Sequence, residues 1–155
     1  MQTDRLKLDV LDVKYRSASE AEINQIIDLL KNVALPYSDL TDSKVTFIVA
    51  TNTNQELIGA IGVEIYGADG LLRSFAVNKR YKNIGIGHQL LSHMLAKCAN
   101  EGLSHLHLLT NTAKDFFLKR GFYILDRISA PESIQSTQEF SLLCPSSAIY
   151  MTKQL

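Results

Sequence analysis

The stretch from Leu71 to Thr110 constrains this chain more than any other. It reads as a strand (LLRSFAV), a basic loop holding two glycines, a helical run with one apolar face, and a second strand (LSHLHLLT). Two strands separated by a helix must lie parallel, because a tight turn reverses the chain and only a crossover restores its direction. Upstream the connections are short. VTFIVA at Val45–Ala50 is followed by the turn TNTNQ and a run from Leu57 to Tyr66, and GADG at Gly67–Gly70 leads into LLRSFAV. Strands joined this tightly form an antiparallel meander. The expected fold is therefore α/β with a mixed sheet: a meander, then a β-α-β crossover, with helices on both faces.

The flanks extend this frame. Leu6, Leu8 and Val10 alternate with charged residues, and Val13 and Tyr15 continue them as a first strand, bulged at the phase break. Ser17 with Glu20, or Ser19 with Glu22, forms a capping box ahead of a helix bearing Ile23, Ile26, Ile27, Leu30 and Val33, which Pro36 stops. Beyond the crossover, Thr112–Lys119 is a short helix closed by Gly121, and Phe122–Asp126 is a strand. Ser129 and Glu132 offer another capping box around Pro131, Thr137–Leu143 forms a further helix broken by Pro145, and Ala148–Thr152 is the last strand. No repeat or linker divides the chain, so residues 1–155 are expected to be a single domain.

Sixteen basic and sixteen acidic residues cancel, and no basic block stands out. That balance excludes duplex nucleic acid and anionic membrane as electrostatic partners. The first ten residues carry Asp4, Arg5, Lys7 and Asp9, which is no signal-peptide core, and no apolar run reaches membrane-spanning length. A cytoplasmic protein is the expectation. Cys98 falls on the apolar side of a helix and is expected to be a buried thiol, as is Cys144.

The loop RYKNIGIGHQLL, Arg80–Leu91, carries the chemistry. Gly85 and Gly87 remove two side chains where the backbone enters a helix, so unsatisfied amides at the positive end of the helix dipole can approach an anion. Lys79, Arg80 and Lys82 add charge, and a diphosphate suits such a place. The dinucleotide fingerprint fails because Leu90 stands where its third glycine belongs. A P-loop fails because Gly87-His88-Gln89 is no Gly-Lys-Ser/Thr ending.

LLRSFAVNKRYKNIGIGHQLL resembles the central signature of the GNAT acetyltransferases: a strand, then Arg or Gln, two residues, Gly, one residue, and Gly or Ala. Here the series is Lys82, Asn83, Ile84, Gly85, Ile86, Gly87. Lys in the first place keeps the charge and loses the planar fork. TAKDFFLKRGF, Thr112–Phe122, resembles the helix that follows in that family. The resemblance implies a GNAT-type fold whose central parallel strands, Leu71–Val77 and Leu103–Thr110, splay apart. It implies acetyl-CoA as co-substrate and no metal. The strand Phe75, Ala76, Val77 would pair with the pantetheine arm, amides from Lys82 to Gly87 with His88 would hold the pyrophosphate, Thr110 would stand in the place of a frequent Asn near the cofactor, and Phe116 would pack beside the pantetheine or the acetyl thioester. Many members carry Tyr after the residue matching Phe116; this chain has Phe117, so the usual general acid is missing.

An amine with a pKa near about 10 must lose a proton before it attacks. Glu64 is the carboxylate nearest the cofactor strand and is the candidate base. It would lie opposite Arg73 across the GADG turn, where a cross-strand ion pair on a solvated face is the plainer reading. Tyr150, Tyr66 or water would replace the missing acid. His105 and His107 alternate like metal ligands but lack a third, and read as ordinary strand positions; His93 reads as a surface residue.

The tail PESIQSTQEFSLLCPSSAIYM, with LLRSFAV and LLTNTAKDFF, resembles the arsenic-resistance N-acetyltransferase group. That implies a small-molecule amine acceptor with an anionic head, an arsenical or phosphinic amino acid. Arg73 and Ser74 would contact it, and residues 35–42, Tyr37 among them, would line the acceptor side. Relatives often form homodimers. The competing readings are a protein or peptide N-acetyltransferase and a non-catalytic CoA-binding module.

Overall fold

A computed structural model describes residues 12–40 and 44–155; the expected strand positions Leu6, Leu8 and Val10, and Thr41 and Asp42 of the acceptor segment, lie outside the described residues. The strands are β1 (Lys14–Ser17), β2 (Thr46–Thr51), β3 (Leu57–Tyr66), β4 (Asp69–Val77), β5 (His105–Thr110), β6 (Tyr123–Leu125) and β7 (Ile149–Gln154). The helices are α1 (Ile23–Asn32), α2 (Ile86–Asn100), α3 (Lys114–Leu118) and α4 (Glu132–Gln135). The strands follow the sheet order β1-β2-β3-β4-β5-β7-β6. β4 and β5 are parallel, and β1–β2, β5–β7 and β6–β7 are antiparallel. The mixed sheet, the meander and the crossover are those expected. The chain packs as two compact units, Met1–Gly62 with Ser74–Ala96, and Val63–Arg73 with Lys97–Leu155.

In the first unit, Ile26, Leu29 and Leu30 of α1 bury against Leu40, Phe47, Val49, Ala60 and Ala76. Their spacing along the sequence is the helical one. Of the two capping boxes, Ser19–Glu22 forms, with the Ser19 N–H donating to Glu22 Oε1 at 2.9 Å. Pro36 does not stop α1. The helix ends at Asn32, where Ala34 adopts a left-handed φ of 57° and the Leu35 N–H returns to Leu30 O at 3.0 Å. That is a Schellman-type end built without glycine. Gly59 lets α2 lie on β3, since a Cβ there would stand 2.9 Å from Leu90 Cδ1.

Glu22 also holds Arg16 in a bidentate pair at 2.7 and 2.8 Å. This pair and the Ser19 amide lower the Glu22 pKa to about 2 from 4.5. A depressed folded pKa gives stability that is present above the unfolded value and lost as pH falls through the folded one. The stability difference between wild type and Glu22→Gln, measured by urea denaturation, is therefore expected to be full above pH 4.5 and to shrink toward pH 2. A gap independent of pH would contradict this.

In the second unit, β7 is last in sequence yet pairs with β5 on one side and β6 on the other. Leu71, Ala130, Ile134, Phe140 and Tyr150 form its core. Three expectations change here. The β3–β4 turn is the two residues Gly67–Ala68, with Gly67 at φ 63°, so β4 starts at Asp69. Ser129 caps nothing: its hydroxyl donates to Asp126 O at 2.6 Å within a 3-10 turn, and Pro131 takes the N-cap place of α4. Glu139–Leu143 is a single π-helical turn instead of a helix from Thr137.

Candidate active site

The loop is pinned from below before it turns. The Asn78 N–H donates to Ile58 O at 2.8 Å, and the Asn78 side chain accepts from the Arg80 N–H at 3.0 Å. Tyr81 is buried, and its hydroxyl accepts from Asn52 Nδ2 at 3.1 Å. Asn83 and Gly85 then take positive φ values of 64° and 93°. Left-handed residues next to ordinary ones turn successive amides toward one side, which makes a nest for an anion. Ile86 opens α2 and anchors it in the core, while Lys82, Asn83, Gly85 and His88 are exposed and Ile84 and Gly87 are half-buried. The first bond of α2 runs from the Gln89 N–H to Gly85 O at 3.1 Å, so the amides ahead of it lie outside the helix ladder. A Cβ on Gly85 would meet nothing within 4 Å, and one on Gly87 would stand 3.6 Å from Phe75 Cζ and 3.8 Å from Val77 Cγ2, ordinary contacts. Phe75 and Val77 are half-buried, with Ala76 facing the core between them. These residues fit a diphosphate with an extended arm along the strand: amides outside the helix ladder, a flanking lysine and open space where a Gly85 side chain would stand.

The parallel pairing of β4 with β5 covers Asp69↔His105, Gly70↔Leu106 and Leu71↔His107, whereas β4 continues to Val77 and β5 to Thr110. Ser74 is buried and holds a left-handed φ of 53° inside β4, the mark of a bulge.

The second unit holds two polar clusters. Arg73 Nη1 lies 3.1 Å from Glu64 Oε2, and Arg73 Nη2 lies 3.6 Å from Glu139 Oε1. Tyr66 donates to Glu64 Oε1 at 2.6 Å, and the Cys144 thiol donates to Glu139 Oε2 at 3.1 Å. The Glu64–Arg73 pair foreseen on a solvated face is present but buried, with side chains 5% and 0% exposed. Glu139, missed in the sequence, completes it from the π-helical turn. Desolvation and the Glu139 charge push the Cys144 thiol up to about 12. The group stays a half-buried thiol donor, and arsenic needs the thiolate. Cys98 is buried and pushed up to about 11.

The other cluster corrects the reading of His107 as an ordinary strand position. His107 Nε2 lies 2.8 Å from Asp69 Oδ1, and His107 Nδ1 lies 2.7 Å from the Tyr150 hydroxyl. Burial lowers the His107 pKa against the opposing pull of Asp69, so the neutral ring is favoured. Asp69 accepts only, so Nε2 carries the proton and Nδ1 is the lone pair. Thr152 approaches Nδ1 at 3.2 Å, but its one proton goes to Leu106 O at 2.8 Å. Tyr150 is therefore the donor to Nδ1. Burial also raises the Tyr150 pKa.

The remaining candidates each have local partners. The Thr110 hydroxyl accepts from the Ala113 N–H at 3.0 Å and so leads into α3. Phe116 is half-buried beneath the Arg120 guanidinium, 3.6 Å from its ring centre. Phe117 is buried edge-on against Phe122 at 5.2 Å, in the core. Tyr37 is exposed, with Lys31 Nζ 5.1 Å from its ring centre. His93 stacks on Tyr15 at 5.0 Å. Among the described residues, no group of His, Cys, Asp and Glu could hold a metal ion, and no helix is long and apolar enough to cross a membrane.

The family model of the acetyltransferase (GNAT) domain matches residues 43–124. No curated protein matches by sequence. Several solved structures share the fold. A GNAT-family acetyltransferase from Staphylococcus aureus Mu50 is 19% identical over 92% of this chain and 99% of that one, with a TM-score of 0.76. The N-acetylglutamate synthase of Neisseria gonorrhoeae, complexed with coenzyme A and N-acetyl-glutamate, is 20% identical at a TM-score of 0.77, with 92% of this chain covering 35% of that one. The PaiA N-acetyltransferase of Thermoplasma acidophilum, in complex with coenzyme A, is 16% identical over 92% of this chain and 99% of that one, at a TM-score of 0.69. At such identities the likeness is one of fold. The family match spans more than half of the chain and contains the nest at Lys82–Gly87, and the chain belongs to the GNAT acetyltransferase family.

Proposed function

We propose that residues 1–155 work as one cytoplasmic acetyltransferase domain that moves an acetyl group from acetyl-CoA to the amine of a small molecule. The observation that carries this reading is the nest: Asn83 and Gly85 at positive φ, directly before the free end of a fifteen-residue helix. The amides of Lys82–Gly87 with His88 would hold the pyrophosphate, and Phe75–Val77 the pantetheine, with Thr110 near the cofactor and Phe116 beside the pantetheine or the thioester. Bound there, acetyl-CoA supplies an acyl group already activated for attack by an amine.

The protein's own task is to hold the acceptor and handle its protons. Glu64 accepts from Tyr66 and Arg73, and a carboxylate has about four lone-pair sites, so room remains for an acceptor ammonium. We assign Glu64 the first proton and the orientation of the amine. Ser74, next to Arg73 at the bulge, and Tyr37 are the further acceptor contacts. The narrower version, an arsenical or phosphinic amino acid, leaned on Arg73 as the anchor of an anionic head. Both Arg73 terminal nitrogens already face carboxylates, so an anion would have to compete with Glu64 and Glu139. That favours an acceptor without an anionic head.

A thiol-release assay over amines, amino acids and their arsenical and phosphinic analogues tests the reading. Wild type is expected to turn over at least one small amine, and Glu64→Gln to lower kcat by about 10²-fold, the scale of a lost general base. Unchanged turnover in Glu64→Gln removes Glu64 from the mechanism. Coenzyme binding without thiol release would mark a binding module, and release with peptides alone a peptide acetyltransferase.

A further inference from the structure

We infer that Asp69, His107 and Tyr150 form a proton relay that takes the second proton from the acceptor nitrogen. The inference rests on the acetyl-transfer reading above and adds a destination that Glu64 alone does not provide. An ammonium acceptor sheds two protons during the reaction: one before attack, and one as the C–N bond forms and the C–S bond breaks. Glu64 serves the first.

The relay has a direction. Tyr150 gives its only proton to His107 Nδ1 at 2.7 Å, which leaves the lone pairs of the Tyr150 oxygen as acceptors. His107 gives its Nε2 proton to Asp69 at 2.8 Å. A proton leaving the acceptor nitrogen passes to Tyr150 Oη while the Tyr150 proton passes to His107 Nδ1. The imidazolium so formed stays paired with the Asp69 carboxylate. The amide nitrogen ends neutral, the coenzyme leaves as thiolate, and His107 later returns its proton to water. No oxidant or further reactant is required.

Its two ends are suitably placed. The inner end, Tyr150, is buried, while the Asp69 side chain is 27% exposed. The register puts His107 beside Leu71, two residues from Arg73, and Tyr150 opposite Leu109, two residues from His107. Side chains two apart share a sheet face, so Arg73, His107 and Tyr150 lie on one face. Glu139 pairs with Arg73, and its neighbour Phe140 packs edge-on against the Tyr150 ring at 5.6 Å. The inner end of the relay thus adjoins the Glu64–Arg73–Glu139 cluster. The titratable groups around His107 are Asp69 on β4, His105 on its own strand and Tyr150 on β7, with Tyr123 on β6 acting on Tyr150.

The test compares Tyr150→Phe, His107→Gln and Asp69→Asn with wild type, using a competent amine, across pH 5–9. The first two are expected to lower kcat by about 10²-fold, with KM for acetyl-CoA within about twofold of wild type. Asp69→Asn keeps an acceptor for Nε2 but loses the charge that raises the His107 pKa, so the acid limb of kcat should move to lower pH. A residue that only fills the core would lower the melting temperature and leave that limb in place. Wild-type kcat and pH profile in all three variants would overturn the relay. Nitrogen NMR of the wild-type histidines reads the same point without turnover: His107 protonated at Nε2 is expected, and protonation at Nδ1 in the neutral ring overturns it. If wild type itself releases thiol with no amine, the acetyl-transfer reading fails and the relay falls with it.

Discussion

Gly85→Val is expected to reduce coenzyme A affinity by on the order of 10²-fold or more while the chain still folds. Gly85 sits at φ 93° with nothing within 4 Å of the place a Cβ would occupy, so backbone conformation alone excludes other residues. Holding an L-residue in the left-handed region costs about 1–2 kcal/mol, and a β-branched one fares worse. The loop is exposed and would relax by rotating Gly85 back, so melting should fall by only a few degrees. The same rotation misdirects the amides it was holding. Two lost hydrogen bonds to a charged group, at about 1.5–3 kcal/mol each, correspond to about 10²–10⁴ in affinity. Gly87→Ala separates the two causes. Its Cβ would meet Phe75 and Val77 at ordinary distances, so the fold is unaffected and any loss of affinity comes from obstructing the ligand. Calorimetric titration of coenzyme A, with thermal melts alongside, decides the matter; wild-type binding by Gly85→Val would mean that the nest is not the diphosphate site.

What could be read from the sequence was what local rules determine. The nest was legible because two glycines before an amphipathic helix state a backbone geometry and a field within a few residues. The meander was legible from β-branched runs and their turns, and the crossover from chain direction alone. Local rules also erred where a rival local device won, as when Ala34 ended α1 ahead of Pro36. The insertion of β7 between β5 and β6 had no local signal, because strand order is settled by packing between distant segments. The same limit hid the polar clusters. Glu64 and Arg73 were paired correctly, but whether water reaches a pair depends on what covers it, here the turn that carries Glu139. His107 lay on a strand with its partners 38 and 43 residues away in sequence. The alternation of His105 and His107 was the only trace, and without a third ligand beside it the pair read as ordinary strand positions.

The Arg73 cluster carries the largest expected effect on stability. Arg73→Ala should cost about 3–5 kcal/mol in urea denaturation, because it leaves Glu64 and Glu139 buried without their common cation. In a chain of this length that corresponds to a fall of about 6–20 °C in melting temperature. The figure measures stranded charge and not the worth of the bridge, since desolvating all three ions offsets most of their attraction. Combining Arg73→Met with Glu64→Gln and Glu139→Gln removes the charges together, and that triple variant should lie within about 2 kcal/mol of wild type, far from the sum of its parts. A single Arg73→Ala that loses less than about 1 kcal/mol, or single effects that simply add in the triple variant, would mean that water reaches these carboxylates and that Arg73 is not the buried cation they share.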